Sequence, residues 1–158
     1  MSKVIQIDSL EGWRDLSRRI LSALASFPQK EAVVLALCGD LGVGKTTFTQ
    51  YLGKELGVEG QINSPTFNIM KIYRLGEEAR EFTNLVHLDV YRFDHEEELK
   101  PLRFADYLKE KENLVVVEWA DKIKNSLPPT TLFLDFVTLN ENERQVTISG
   151  PGQLVESI

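Results

Sequence analysis

The apolar positions change period several times along the chain, and each change marks an element. Residues 4–7 predict a short strand. Leu10, Trp13, Leu16, Ile20, Leu21, Leu24 and Phe27 then recur at helical spacing, so residues 9–27 predict an amphipathic helix stopped before Pro28. Asp8, with Glu11 three residues on, supplies an aspartate version of the capping box at its start. Residues 32–38, AVVLALC, are apolar throughout, which suits a strand covered on both faces. Residues 45–56 read as the next helix, ended by Gly57. Residues 66–74 and 81–91 predict two strands joined around Gly76 as an antiparallel pair. Asp94, with Glu97 three residues on, opens a helical stretch that Pro101 interrupts and that resumes through Leu108. Residues 114–118, LVVVE, form a short buried strand, and residues 131–139 and 144–149 a final hairpin across 140–143. Strands alternating with helices early and hairpins later imply an α/β fold. Its mixed sheet has a parallel centre and antiparallel additions, flanked by helices.

No repeat, low-complexity tract or Gly/Ser/Pro-rich linker divides the 158 residues, so residues 1–158 are expected to form a single domain. The 18 basic residues are scattered and outnumbered by 24 acidic ones, a formal net charge of −6. A chain that grips nucleic acid unaided usually carries a basic stripe, so direct tight binding to RNA or DNA is disfavoured. The single cysteine, Cys38, rules out an intrachain disulfide and reads as a packing residue. The residues at the start hold no apolar run of the signal-peptide kind, and residues 32–38 are far too short to span a bilayer. A cytoplasmic, non-membrane protein is expected.

The sharpest chemical signal follows that apolar strand. Gly39-Asp40-Leu41-Gly42-Val43-Gly44-Lys45-Thr46 fits G-x-x-x-x-G-K-[ST], with a predicted strand before it and a predicted helix, containing Thr47, after it. Glycine at 42 and 44 lets the backbone turn with positive φ and bring N–H groups around phosphate oxygens. The helix N-terminus aims its unpaired N–H groups and positive dipole end at the same anion. Lys45 adds a mobile charge for the outer phosphates, and the Thr46 hydroxyl can ligate Mg²⁺. A P-loop NTPase-like fold binding a nucleoside triphosphate follows. The metal also needs a carboxylate. Asp89 and Glu118 each end an apolar run, and strand ends on one side of an open α/β sheet form its ligand crevice. Thr66, in Asn63-Ser64-Pro65-Thr66, is a candidate sensor of the third phosphate in a switch-like loop.

Absences narrow the class. No aspartate has glycine three residues on, and neither Asn-Lys-x-Asp nor Leu-Ser-Gly-Gly-Gln occurs, so a guanine reader and a transporter ATPase are disfavoured and ATP is the expected nucleotide. Two alternatives stay open: a small-molecule kinase, and a binding module switched by ATP and ADP.

Four stretches in this order and spacing, GDLGVGKTTF (39–48), SPTF (64–67), HLDVYR (87–92) and VEWADK (117–122), resemble the bacterial ATPase family of tRNA threonylcarbamoyladenosine synthesis, TsaE or YjeE. The resemblance implies a small Mg²⁺-dependent ATPase. Such an enzyme supports threonylcarbamoyl transfer to the adenosine beside the anticodon by binding the transferase protein and its paralogous partner, with tRNA contacted indirectly. It makes Lys45 a phosphate ligand, Thr46 and Glu118 the Mg²⁺ ligands and Asp89 a residue needed for hydrolysis. Thr47 then continues the phosphate helix, Thr66 belongs to the switch-like loop, and Trp119 is a functional neighbour of the metal. The chain departs from the family at Ala120-Asp121, where proline often follows the Glu-Trp pair, and at Lys100-Pro101-Leu102, where the acidic helical segment often has a glycine.

Overall fold

The computed structural model describes residues 1–65 and 67–158. Seven strands form one sheet: β1 (Ser2–Ile7), β2 (Val33–Cys38), β3 (Met70–Arg74), β4 (Asn84–Asp89), β5 (Asn113–Glu118), β6 (Leu132–Thr138) and β7 (Arg144–Ser149). Their spatial order is β1-β7-β6-β2-β5-β4-β3. The central four, β6, β2, β5 and β4, run parallel, while β1, β7 and β3 pair antiparallel with their neighbours. This is the mixed sheet with a parallel centre that the sequence predicts. Every residue of β2 and β5 is buried, as strands covered on both faces must be.

Helices α1 (Leu10–Ala25), α2 (Lys45–Glu55) and α4 (Gly152–Ser157) lie on one face, where Leu35 and Leu37 of β2 meet Leu16, Ile20, Phe48, Leu52 and Leu154 in one apolar cluster. Strand alternation sends Val34, Ala36, Val115 and Val117 to the other face. There they meet Leu99, Phe104 and Ile123, from α3 (Phe104–Leu108) and the 3-10 segments Glu96–Leu102 and Ala120–Ser126. The first face also receives Leu85, Leu114 and Val116, so the same alternation puts His87, Asp89 and Glu118 on the side of α2.

Several boundaries depart from the sequence reading. The N-cap of α1 is Ser9, in extended conformation, whose hydroxyl accepts from the Gly12 N–H at 3.2 Å; Asp8 stands one residue too early. Likewise the capping box of the acidic stretch is His95 with Glu98, not Asp94 with Glu97. Pro101, lacking an N–H, sits in a 3-10 segment, and Arg103 at φ 54° separates that segment from α3. Strand β3 begins at Met70, because Ile69 stands at φ 62° and breaks the extended path; the predicted start at residue 66 lies outside the described residues. The Ala120–Ser126 segment and α4 were not foreseen. Among the described residues no helix is long and apolar enough to cross a membrane.

Candidate nucleotide site

Strands β2, β4 and β5 end level with one another. Leu37 pairs with Glu118, and Asp89 pairs with Glu118 from the other side. The chain leaving β2 turns through the glycine-rich loop directly above these carboxylates. Gly42 (φ 77°) and Gly44 (φ 111°) both hold the positive φ expected of them. At Gly44 there is also no space: an added Cβ would lie 2.7 Å from the Trp13 ring. No side chain caps α2 at Gly44, so its first-turn N–H groups face the loop and its dipole is free for an anion. Val43 points into the core, whereas Leu41 is 83% exposed at the mouth.

Lys45 is buried, 5% exposed. Its Nζ donates to the carbonyls of Gly39 at 2.5 Å and Asp40 at 2.8 Å, and lies 4.2 Å above the centre of the Trp119 ring. Burial draws its pKa below the ordinary 10.5, against the pull of Glu118 and Asp89. Trp119 reaches this position through a left-handed backbone (φ 61°) just beyond β5, with Tyr91 packed at 4.9 Å against its ring. The lysine is thus held over the loop by dipoles and a π face, the arrangement that phosphate oxygens would replace.

The Thr46 hydroxyl donates to both oxygens of Glu118, at 3.0 and 3.1 Å. Glu118 accepts on Oε1 from Nε2 of the fully buried His87, at 2.9 Å. Asp89 is held separately: Ser64 Oγ donates to Oδ2 at 2.7 Å, and the Tyr91 N–H donates to Oδ1 at 2.9 Å. Among the described residues no group of three His, Cys, Asp or Glu could hold a metal alone. One hydroxyl and one carboxylate beside a phosphate loop do fit Mg²⁺, a hard ion that keeps few protein ligands and takes the rest from phosphates and water.

A cleft of about 700 Å³ opens over this site, lined by Gly42, Gly44, Lys45, Thr46, Thr47, Asp89, Glu118 and Trp119. It extends past Trp13 to Asp8, Ser9 and Leu10 at the start of α1, and to Glu141, Asn142 and Arg144 on the β6–β7 hairpin. The predicted Lys45, Thr46, Thr47, Asp89, Glu118 and Trp119 are therefore brought together. Gly39 and Asp40 contribute carbonyls to the lysine, and Thr66 lies outside the described residues. Sequence reasoning missed three contacts: Ser64 on Asp89, Tyr91 on Trp119, and His87 on Glu118. For His87 the sequence does show a face shared with Asp89, two residues on, and suits a packed or hydrogen-bonded histidine; it does not show the bond to Glu118. Cys38, whose thiol burial pushes up to about 12, is the packing residue expected.

A family model described as threonylcarbamoyl adenosine biosynthesis protein TsaE matches residues 8–146. The chain belongs to the TsaE family. The tRNA threonylcarbamoyladenosine biosynthesis protein TsaE of Bacillus subtilis (strain 168) is 35% identical over 149 residues, 92% of this chain and 89% of that one. The protein of the same name from Rickettsia felis is 35% identical over 133 residues, 84% of this chain and 73% of its own length. A crystal structure of Bacillus subtilis YdiB superposes with a TM-score of 0.71 at 29% identity, covering 99% of this chain and 90% of that one. The TsaE match spans every residue of the cleft named above.

Proposed function

We propose that the chain is a Mg²⁺-dependent ATPase acting in the formation of threonylcarbamoyladenosine in tRNA. It binds the threonylcarbamoyl transferase protein and its paralogous partner, and hydrolysis resets that complex. The observation that carries the ATPase reading is the meeting of Thr46 and Glu118, 3.0 Å apart, beneath a glycine loop that presents Lys45. The role in tRNA modification rests on TsaE membership.

In this reading Lys45 exchanges the Gly39 and Asp40 carbonyls for the outer phosphates, and the loop N–H groups surround the inner ones. Thr46 and Glu118 hold Mg²⁺, which when bound neutralises charge developing on the phosphates. Asp89 stands level with Glu118 on the next strand, its carboxylate fixed by Ser64 and the Tyr91 N–H, and orients the attacking water. Arg144 lines the cleft but donates to the Asn140 and Glu143 carbonyls of its own hairpin, so it is not aimed at the phosphates. Catalysis by positioning without an arginine at the transferred group is slow. The net charge of −6 favours meeting tRNA through the protein partners.

The test is phosphate release from Mg-ATP by the chain alone, then with the transferase and its partner added. Slow release that climbs on addition is expected. Turnover of about 1–100 per second by the isolated chain, as for typical kinases, would sink the reset mechanism. Transfer of phosphate to a metabolite instead of water would make the chain a kinase.

A further inference from the structure

His87 is an odd residue to find where it stands. It lies on β4 between Leu85 and Asp89 on the α2 side of the sheet, fully buried, where the neighbouring positions of β5 on that face are Leu114 and Val116. A leucine there would pack against these side chains without any polar atom. The imidazole instead leaves Nδ1 buried with no hydrogen-bond partner among the described residues, which is unfavourable for any polar group. Core packing does not account for the choice.

Its other nitrogen does. Nε2 donates to Glu118 Oε1 at 2.9 Å, and Glu118 is itself only 3% exposed. A carboxylate in so dry a crevice needs donors. Among the described residues it has two, His87 and the Thr46 hydroxyl. Thr46 has a second duty, because the same hydroxyl oxygen must also offer a lone pair to the metal ion. His87 sits on a strand with no such second duty. It is diagonal to Glu118 across the β4–β5 pair, since Asp89 is directly opposite Glu118 and His87 opposite Val116, and adjacent strands bring such diagonal side chains within reach.

We propose that His87 is a positioning residue for the metal: its Nε2–H holds Oε1 of Glu118, fixing the carboxylate so that Oε2 is presented to Mg²⁺. The proposal rests on the assignment of Thr46 and Glu118 as metal ligands. Outer-shell donors of this kind orient a ligand without touching the ion, and losing one typically weakens metal binding by about 10–100-fold.

The experiment is equilibrium binding of a fluorescent, non-hydrolysable ATP analogue across a Mg²⁺ titration and in EDTA. It compares the wild type with His87→Leu, which removes the donor, and His87→Gln, whose amide nitrogen can occupy the place of Nε2. In His87→Leu the Mg²⁺ concentration for half-maximal tightening should rise about 10–100-fold, while affinity in EDTA is unchanged. His87→Gln should restore most of the loss. An unshifted Mg²⁺ midpoint in His87→Leu would overturn the proposal. So would equal weakening with and without Mg²⁺, or loss of the fold by circular dichroism, either of which would make His87 structural. A wild-type chain that binds the analogue equally well in Mg²⁺ and EDTA would remove the metal assignment itself, a result distinct from any behaviour of the variants.

Discussion

A lysine ammonium that is 5% exposed and has no carboxylate at salt-bridge distance among the described residues is an expensive group to fold around. Two loop carbonyls and the Trp119 ring compensate it in part, yet burial still lowers its pKa. The sign of the consequence is fixed. With the folded value below the unfolded one near 10.5, the folded chain sheds this proton first as pH rises, so stability increases through that window and the full cost of the buried charge is carried below it. Lys45→Met, similar in length and uncharged, should therefore leave the nucleotide-free chain no less stable at pH 7. Its advantage over the wild type should shrink as urea denaturation is repeated toward pH 10. Binding of ATP should meanwhile fall by at least about 100-fold, the loss of about 3 kcal/mol that a buried charge-assisted contact carries. A variant clearly less stable at pH 7 would show that Lys45 serves the fold as well as the ligand.

Among the elements, α1 both buttresses the phosphate loop and lines the cleft. Trp13 touches Gly44 and stacks on Phe136 of β6 at 6.0 Å, and Phe136 in turn meets Phe48 of α2 at 6.0 Å. Where α1 begins therefore matters to the site. Ser9→Ala should cost about 1 kcal/mol, the usual value of a lost N-cap, while Asp8→Ala should change stability by less than about 0.5 kcal/mol. Thermal unfolding without nucleotide distinguishes them, and the reverse ranking would restore Asp8 as the cap. The two residues are equally good caps by type; the arbiter is that β1 pairs with β7 through Ile7, which a local pattern does not reveal. The same limit explains what else was legible. Loop glycines, Lys45, Thr46, Asp89 and Glu118 could be read because phosphate binding demands fixed residue types at fixed spacing and strand ends supply acids. The partners His87 and Ser64 depend on strand register and on contacts 31 and 25 residues away in sequence. Trp119 required a positive φ at a non-glycine residue, to which no propensity points. The six-residue α4 is shorter than any window in which helical period stands out.

At the scale of the molecule, the cleft is where distant parts of the chain converge. Its walls come from the end of β1, the start of α1, the glycine loop, the ends of β4 and β5, and the β6–β7 hairpin, from Ile7 to Arg144. None of these segments presents the others' groups when the chain is unfolded, so a nucleotide in the cleft binds the folded state and not the unfolded one. Linkage then sets the size of the effect: at a free concentration of 100 times Kd, a ligand adds about 2.7 kcal/mol to the unfolding free energy. For a chain of this length that corresponds to a rise in Tm of roughly 5–10 °C. Mg-ATP should produce such a shift in the wild type, and adenosine alone should not, because the proposed function directs most of the binding energy at phosphates through Lys45 and the N-terminus of α2. Lys45→Met should lose the shift without losing cooperative unfolding. An equal shift with adenosine would mean that the region from Asp8 to Trp13 and the hairpin, rather than the glycine loop, dominates recognition, and the cleft would then be a nucleoside site with a phosphate loop at its edge.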